Sequence, residues 1–288
     1  MRILRWLGVL IIALVGLIVV AAGVLFAVGT NRIANPRAVE ADSIAVPTDS
    51  ASIAEGRRLS TLFRCRECHG ERLEGKSLVD DPMLGHLVSP HIAPGEGSVT
   101  TGYSEADWVR ALRHGIAGDG RALIIMPADQ YTHVAREDLG ALIAYLMRAE
   151  PVDHVAPKTR LRLATTLIGA GVFPLEPTLI DHGKPAPQKP SPEDTLAFGN
   201  YLALSCRGCH GQDLMGSAEF GGPPLVRGSA FDTYDESAFG RMLDTGVATN
   251  GRTLDPAKMP WRALGVMIPA ERHAVWAYLK TVAAPVAP

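Results

Sequence analysis

One pentapeptide pattern, Cys-x-x-Cys-His, occurs twice in this 288-residue chain and constrains it more than any other feature. The copies are Cys65-Arg66-Glu67-Cys68-His69 and Cys206-Arg207-Gly208-Cys209-His210, and together they use all four cysteines. Further matches follow each copy. Tyr103-Ser104-Glu105 corresponds to Tyr234-Asp235-Glu236, and the run His114 to Arg121 to the run Thr245 to Arg252. Met126-Pro127 corresponds to Met259-Pro260, and Leu142 to Leu146 to Val275 to Leu279. The chain is an internal repeat, with insertions between the blocks where loops belong.

Each repeat reads as helical. Ser52 with Glu55, and Ser104 with Asp107, have the spacing of a capping box. Asp138 to Arg148 carries Leu139, Leu142, Ile143 and Leu146 as a helical stripe. Ser191-Pro192 reads as an N-cap followed by a first-turn proline, and Pro269 opens a last helix holding Val275, Trp276 and Leu279. Strand signals are sparse. Seven prolines between Pro151 and Pro190 exclude a continuous helix there. The apolar part of that connector, Leu161 to Phe173, is expected to pack on a domain. It is too short to span a bilayer, though a membrane contact stays open. The expected organisation is an anchor over 1–29, a tether over 30–49, a first domain over 50–150, a connector over 151–190 and a second domain over 191–288.

The anchor is read from Trp6 to Val28, 23 residues without a charge. At about 1.5 Å per residue such a helix crosses a hydrocarbon core of about 30 Å. The alternative is a cleaved secretory signal, whose apolar region is usually only about 7–15 residues, with Ala21-Ala22-Gly23 as a cleavage site. Arg2 and Arg5 on one side nearly balance Arg32 and Arg37 on the other, and the α-amino group tips the N-terminus inside. Trp6 then sits at the cytoplasmic interface. The net charge of −2, with scattered basic residues, argues against a nucleic-acid partner.

The Cys-x-x-Cys-His spacing places two thiols one turn apart with a histidine next to them, the pattern of c-type haem attachment. Cys65, Cys68, Cys206 and Cys209 would form thioethers to two haem c groups, with His69 and His210 on the irons. A thioredoxin-type dithiol lacks its βαβ context, a single zinc site leaves both histidines unexplained, and a disulfide across two residues is a poor choice. For the sixth ligand a Met sulfur suits an electron carrier. Met126 and Met259 are the matched pair. Met83, Met147, Met215, Met242 and Met267 compete, and a lone Met is more often core filler. Distal ligation by His86, His91, His114 or His133 has no counterpart in the second repeat, so these are expected on the surface or in loops. Arg121 and Arg252 are paired across the repeat and could hold haem propionates, or simply mark turns. Tyr145 and Tyr278 are expected to be packing residues.

The blocks Cys65 to Gly70, Ser89-Pro90-His91-Ile92, Tyr103 to Arg121, Met126-Pro127 and Leu139 to Leu146 resemble the class I cytochrome c domains in the cytochrome subunits of periplasmic alcohol, gluconate and sorbitol dehydrogenases. The second repeat resembles a more generic domain of that superfamily. The resemblance implies an all-α fold of two tandem class I cytochrome c domains behind an N-terminal transmembrane helix. Members of that group usually carry three haem domains and attach at the C-terminal end, whereas this chain has two motifs and an N-terminal apolar run.

The expected function is periplasmic electron transfer through two haems. Electrons would pass from a dehydrogenase or quinol-oxidising complex to a cytochrome or terminal oxidase, with no catalytic residue. The expected location is the inner membrane, single-pass, with the N-terminus in the cytoplasm, because haem is attached to such proteins on the outer side. A dihaem peroxidase needs an open iron, which the matched methionines oppose. A haem-based sensor needs an output domain, and only about five residues precede the span.

Overall fold

A computed structural model describes residues 2–218 and 221–283. The first residue of the expected anchor, and residues 219–220 and 284–288 of the expected second domain, lie outside the described residues. In chain order the elements are α1 (Arg2–Ala34), α2 (Ser50–Leu62), α3 (Cys65–His69), β1 (Lys76–Asp81), β2 (Gly85–Ser89), α4 (Glu105–His114), α5 (Ala128–Tyr131) and α6 (Arg136–Leu146). Then come β3 (Arg160–Leu161), α7 (Leu163–Gly169), α8 (Glu176–Leu179), α9 (Thr195–Leu202), α10 (Leu204–His210), a 3-10 turn (Ala230–Thr233), α11 (Glu236–Thr245), α12 (Trp261–Leu264) and α13 (Pro269–Leu279).

The chain is mostly helical, and three short strands correct the all-α expectation. They form one antiparallel sheet in the order β1-β2-β3. Its hairpin is made by Asp81, whose carboxylate accepts from the backbone N–H of Met83 at 2.8 Å and of Leu84 at 2.7 Å. This Asx-type turn reverses the chain locally. The sequence signal is weak because β1 is half exposed and β3 is only two residues long.

Two compact units are present. One comprises residues 1–43, 68–132 and 150–184 and contains α1, the sheet, α4, α5, α7 and α8. Here α1 packs against α7, so the apolar connector segment lies on the N-terminal helix. The helix α1 is long and apolar enough to cross a membrane. The other unit comprises residues 44–67, 133–149 and 185–288 and contains α2, α6, α9 and α11 to α13. Its core joins Leu59, Leu62 and Ala141 with Phe198, Leu202, Phe239, Leu243, Val275 and Leu279.

Within this second unit, α2 crosses α6 and α9 crosses α13 by the same device. A Cβ at Gly56 would strike the carbonyl oxygen of Ala141, and a Cβ at Gly199 that of Ala274. The glycines let the backbones touch. The two crossed pairs are then tied reciprocally. Arg58 on α2 makes a bidentate bond to Glu271 on α13, at 2.7 and 2.8 Å. Tyr201 on α9 donates to Asp138 on α6 at 2.6 Å. Arg58 and Tyr201 are matched positions two residues after the glycines, and Asp138 and Glu271 are matched on the terminal helices. This is the i-to-j, j-to-i pattern of a two-fold interface, here made inside one chain.

Local stops and starts refine the sequence reading. The Ser104–Asp107 capping box forms as expected, and Pro269 is the first residue of α13. The cap of α2 is instead Asp49, which accepts from Ser52 N–H at 2.9 Å, while Glu55 is drawn to Arg58. Asp194, rather than Ser191, caps α9. An ionised Asp satisfies the first-turn amides and also complements the helix dipole. Both α4 and α11 end on a glycine in the left-handed region, Gly115 at φ 66° and Gly246 at φ 71°.

Gly56→Ala and Gly199→Ala are each expected to lower stability by about 1–3 kcal/mol through overpacking. Gly240→Ala on α11 has open space around it and should be neutral or slightly stabilising. Urea unfolding of the three holo variants checks this. Glu271→Ala leaves Arg58 with Glu55 and the Val266 carbonyl and should cost about 1–3 kcal/mol by the same measurement.

Candidate functional site

The two motifs sit on short helices with matching exits. Gly70 and Gly211 turn the chain at φ 87° and 85°. Gly75 then donates to the His69 carbonyl at 2.7 Å, and Gly216 to the His210 carbonyl at 2.8 Å. Cys65 and Cys206 are buried, Cys68 is exposed and Cys209 is half-buried. Burial pushes the Cys206 thiol up to about 11.

Each motif histidine is buried and held by the carbonyl of a proline. His69 Nδ1 lies 2.8 Å from Pro90 O, and His210 Nδ1 lies 2.6 Å from Pro223 O. A carbonyl only accepts, so each Nδ1 carries the hydrogen and each neutral ring presents its lone pair on Nε2. Burial lowers the pKa of both rings, keeping them neutral. A neutral imidazole with its second nitrogen tied to a carbonyl is the donor a metal requires.

The matched methionines occupy equivalent turns. Ala128 donates to the Met126 carbonyl and Trp261 to the Met259 carbonyl, both at 2.7 Å, and Pro127 and Pro260 precede the short helices α5 and α12. Both side chains are half-buried, and Met259 packs on the core that holds Met242 and Met267. Met83 is exposed on the β1–β2 turn. Arg121 and Arg252 are exposed, and Arg121 pairs with Asp119 at 2.6 Å.

Sequence reasoning missed a contact that both repeats share. Arg66, inside the first motif, donates to the Tyr145 hydroxyl at 2.8 Å, and Arg207, inside the second, donates to the Tyr278 hydroxyl at 3.1 Å. The tyrosines are therefore polar partners as well as packing residues. The Nε of both arginines is buried without an acceptor. The same orphaned donor beside both motifs leaves room for an acceptor from a bound group. The signal was available, since Arg follows the first cysteine in both copies. Arg64 also lies near the second motif, its guanidinium 3.7 Å from Cys209 Sγ.

The histidines expected on the surface divide. His133 is exposed and His86 half-exposed, but His91 and His114 are buried at 0 and 1% exposure. His91 Nδ1 bonds to the His154 carbonyl at 2.9 Å, and its Nε2 is buried without a partner. His114 belongs to a buried polar cluster. Its Nδ1 is 3.0 Å from His182 Nδ1, and His182 Nε2 donates to Pro177 O at 2.9 Å. The donation to Pro177 makes His182 Nδ1 the acceptor, so His114 Nδ1 carries the hydrogen. Beside it, Arg113 bonds to Asp42 at 2.6 Å and to the carbonyls of Thr132 and Lys184. The expectation failed because these rings are held by contacts with the connector, distant in sequence.

The donor set fits a covalently held haem at each motif. Two cysteines one turn apart, a neutral histidine with a free Nε2, and an orphaned arginine donor recur together. Comparison with known proteins agrees. No family model matches the chain. Its homologues are cytochrome c subunits of fructose, alcohol and gluconate dehydrogenases. It is 28% identical to the fructose dehydrogenase cytochrome subunit of Gluconobacter japonicus over 91% of this chain and 58% of the relative. It is 31% identical to the gluconate 2-dehydrogenase cytochrome c subunit of Pantoea cypripedii, over 56% of this chain and 38% of the relative. The cytochrome c subunit of the quinone alcohol dehydrogenase of Gluconacetobacter polyoxogenes is 28% identical, over 63% and 42%. The chain spans about half the length of these relatives.

The buried cluster sets a pH dependence. Burial holds His114 down at about 4, against the pull of Asp42. That stability is present above about 6.5 and is lost as pH falls toward 4. Burial, with Asp129 nearby, raises Glu176 to about 7, so its ionisation removes stability as pH rises from about 4.5 to 7. The opposing slopes nearly cancel between about 4.5 and 6.5. Glu176→Gln removes the opposing slope, so Tm measured between about pH 4.5 and 6.5 should rise more steeply with pH in the variant than in the parent protein.

Proposed function

We propose that the chain carries two haem c groups and relays single electrons, making and breaking no substrate bonds. The observation that carries the reading is the duplicated motif in which each histidine offers Nε2 because a prolyl carbonyl holds Nδ1. When bound, each haem supplies reversible one-electron exchange between ferric and ferrous iron.

The residues divide the remaining work. Cys65 and Cys68, and Cys206 and Cys209, attach the two groups. His69 and His210 would hold the irons through Nε2, and the hydrogen bond at Nδ1 fixes ring orientation and raises basicity at Nε2. Met126 and Met259 would supply the second ligand to each iron, which would raise the potential and leave no site for a substrate. Arg121 and Arg252, exposed and matched across the repeat, would be available to haem propionates, Arg121 by exchanging its contact with Asp119. Arg66 and Arg207, locked by Tyr145 and Tyr278, hold each motif helix against its terminal helix.

The relatives are subunits of dehydrogenases, which supports a dehydrogenase, rather than another quinol-oxidising complex, as electron donor; the proposed acceptor is a cytochrome or terminal oxidase. The apolar helix α1 supports a single-pass anchor; the proposed arrangement puts that anchor in the inner membrane, its N-terminus in the cytoplasm and two tandem cytochrome c domains in the periplasm.

The test is haem quantitation and reduced-minus-oxidised spectroscopy on protein from a host with cytochrome c maturation. Two covalent haems, a near-infrared band for Met on ferric iron and no response of the reduced form to carbon monoxide are expected. Met126→Ala and Met259→Ala should each abolish part of that band and let one haem bind carbon monoxide. Rapid carbon monoxide binding by the parent protein would replace the relay with a peroxidase-type reading.

A further inference from the structure

The crossing of α1 with α7 sets the height of the connector relative to the apolar helix. A Cβ at Gly29 would strike the Thr165 carbonyl, and a Cβ at Gly169 the Leu25 carbonyl. As α7 advances from Thr165 to Gly169, its contacts on α1 step back from Gly29 to Leu25. The helices are therefore antiparallel, and α7 descends along α1 toward the apolar run. Arg32 pins this height by donating to the Ile168 carbonyl at 2.9 Å. A hydrocarbon core takes about 20 helical residues. Counted from Trp6, the first residue after Arg5, such a span ends near Leu25. The end of α7 reaches that boundary.

The segment beyond α7 is apolar and uncovered. No charged residue lies between Arg162 and Glu176. Val172 is 61% exposed and Phe173 44%, and Ala170, Gly171 and Pro174 are exposed with them. The turn is braced: Gly171 donates to the Ile168 carbonyl at 3.1 Å, and Val172 to the Leu167 carbonyl at 2.9 Å. Ile168 and Leu175 on either side are buried in a small core with Ala122. A rigid turn that holds Val and Phe outward, continuous with the exposed apolar surface of α1, matches a lipid surface. Arg162 precedes α7 at its upper end, and the Arg32 guanidinium reaches the base of the tip, on the Ile168 carbonyl and beside Gly171, where it can meet anionic phosphates while the apolar side chains beyond it enter the boundary.

We propose that the tip formed by residues 170–173 inserts into the headgroup–acyl boundary of the bilayer that α1 crosses, as a second contact with the same membrane. The partner is a lipid surface. Two contacts fix the rotation of the first unit about α1, which a single helix leaves free. The proposal rests on α1 being a membrane span, and the experiment separates the two.

The photoreactive residue p-benzoylphenylalanine is placed at position 173, or at position 14 within α1, in the full-length protein. Each version is reconstituted in phosphatidylethanolamine–phosphatidylglycerol vesicles and irradiated. Lipid adducts from both positions are expected. Lipid adducts at position 14, with none or only protein adducts at position 173, would overturn the tip contact and leave the anchor standing. No lipid adduct at either position would overturn the anchor and the tip contact together.

Discussion

Two backbone-to-backbone helix crossings, at Gly56 and Gly199, carry the core of the second unit. Each removes the side chain at the point of closest approach, so that α2 can lie against Ala141 and α9 against Ala274. Small helical units with little apolar core cannot spread a crossing over many large side chains. Touching backbones replace bulk with close contact, and dispersion rises steeply as the gap closes. The same solution serves a different purpose at Gly29 and Gly169, where it brings a connector helix against α1.

The polar ties in the second unit follow from those crossings. Once α2, α6, α9 and α13 are set, Arg58 meets Glu271 and Tyr201 meets Asp138, with both carboxylates and the tyrosine buried and the guanidinium half-buried. Buried ionic groups are poor sources of net stability but costly to leave unpaired. Their value here is in register, because a slip of α2 along its neighbours would strand a carboxylate. Lys189 adds a second partner to Asp138 at 2.7 Å, as Glu55 does for Arg58. The two repeats have thus kept matched positions while exchanging the chemistry, a guanidinium in one and a phenol in the other.

The proposed electron relay would ask for ligands that stay put while charge changes by one unit. Both histidine rings are fixed through Nδ1 to a prolyl carbonyl, and at His69 the Ser89 hydroxyl lies 3.1 Å from the same atom. The arginine inside each motif is held in turn by a tyrosine of the terminal helix. In the second motif α10 is therefore held both from its loop, at Pro223, and from its terminal helix, at Tyr278.

The motifs, the duplication, the Met-Pro turns, the capping box at Ser104 and the apolar helix were legible because each is encoded in residues near one another. Spacing within a helix or turn needs no knowledge of the rest of the chain. The sheet, the burial of His91 and His114 and the choice of Asp49 over Ser52 as a cap were not legible. Each depends on a segment brought from elsewhere or on competition between nearby polar groups. The sequence by itself determined what chemistry each repeat can hold, through Cys65, Cys68 and His69 and their counterparts Cys206, Cys209 and His210. Only the tertiary structure decided that Arg58 reaches Glu271, that Arg66 and Arg207 find tyrosines, and that α7 lies along α1. The physical reason is that close approach and the satisfaction of buried polar groups depend on three-dimensional neighbours, which no local spacing records.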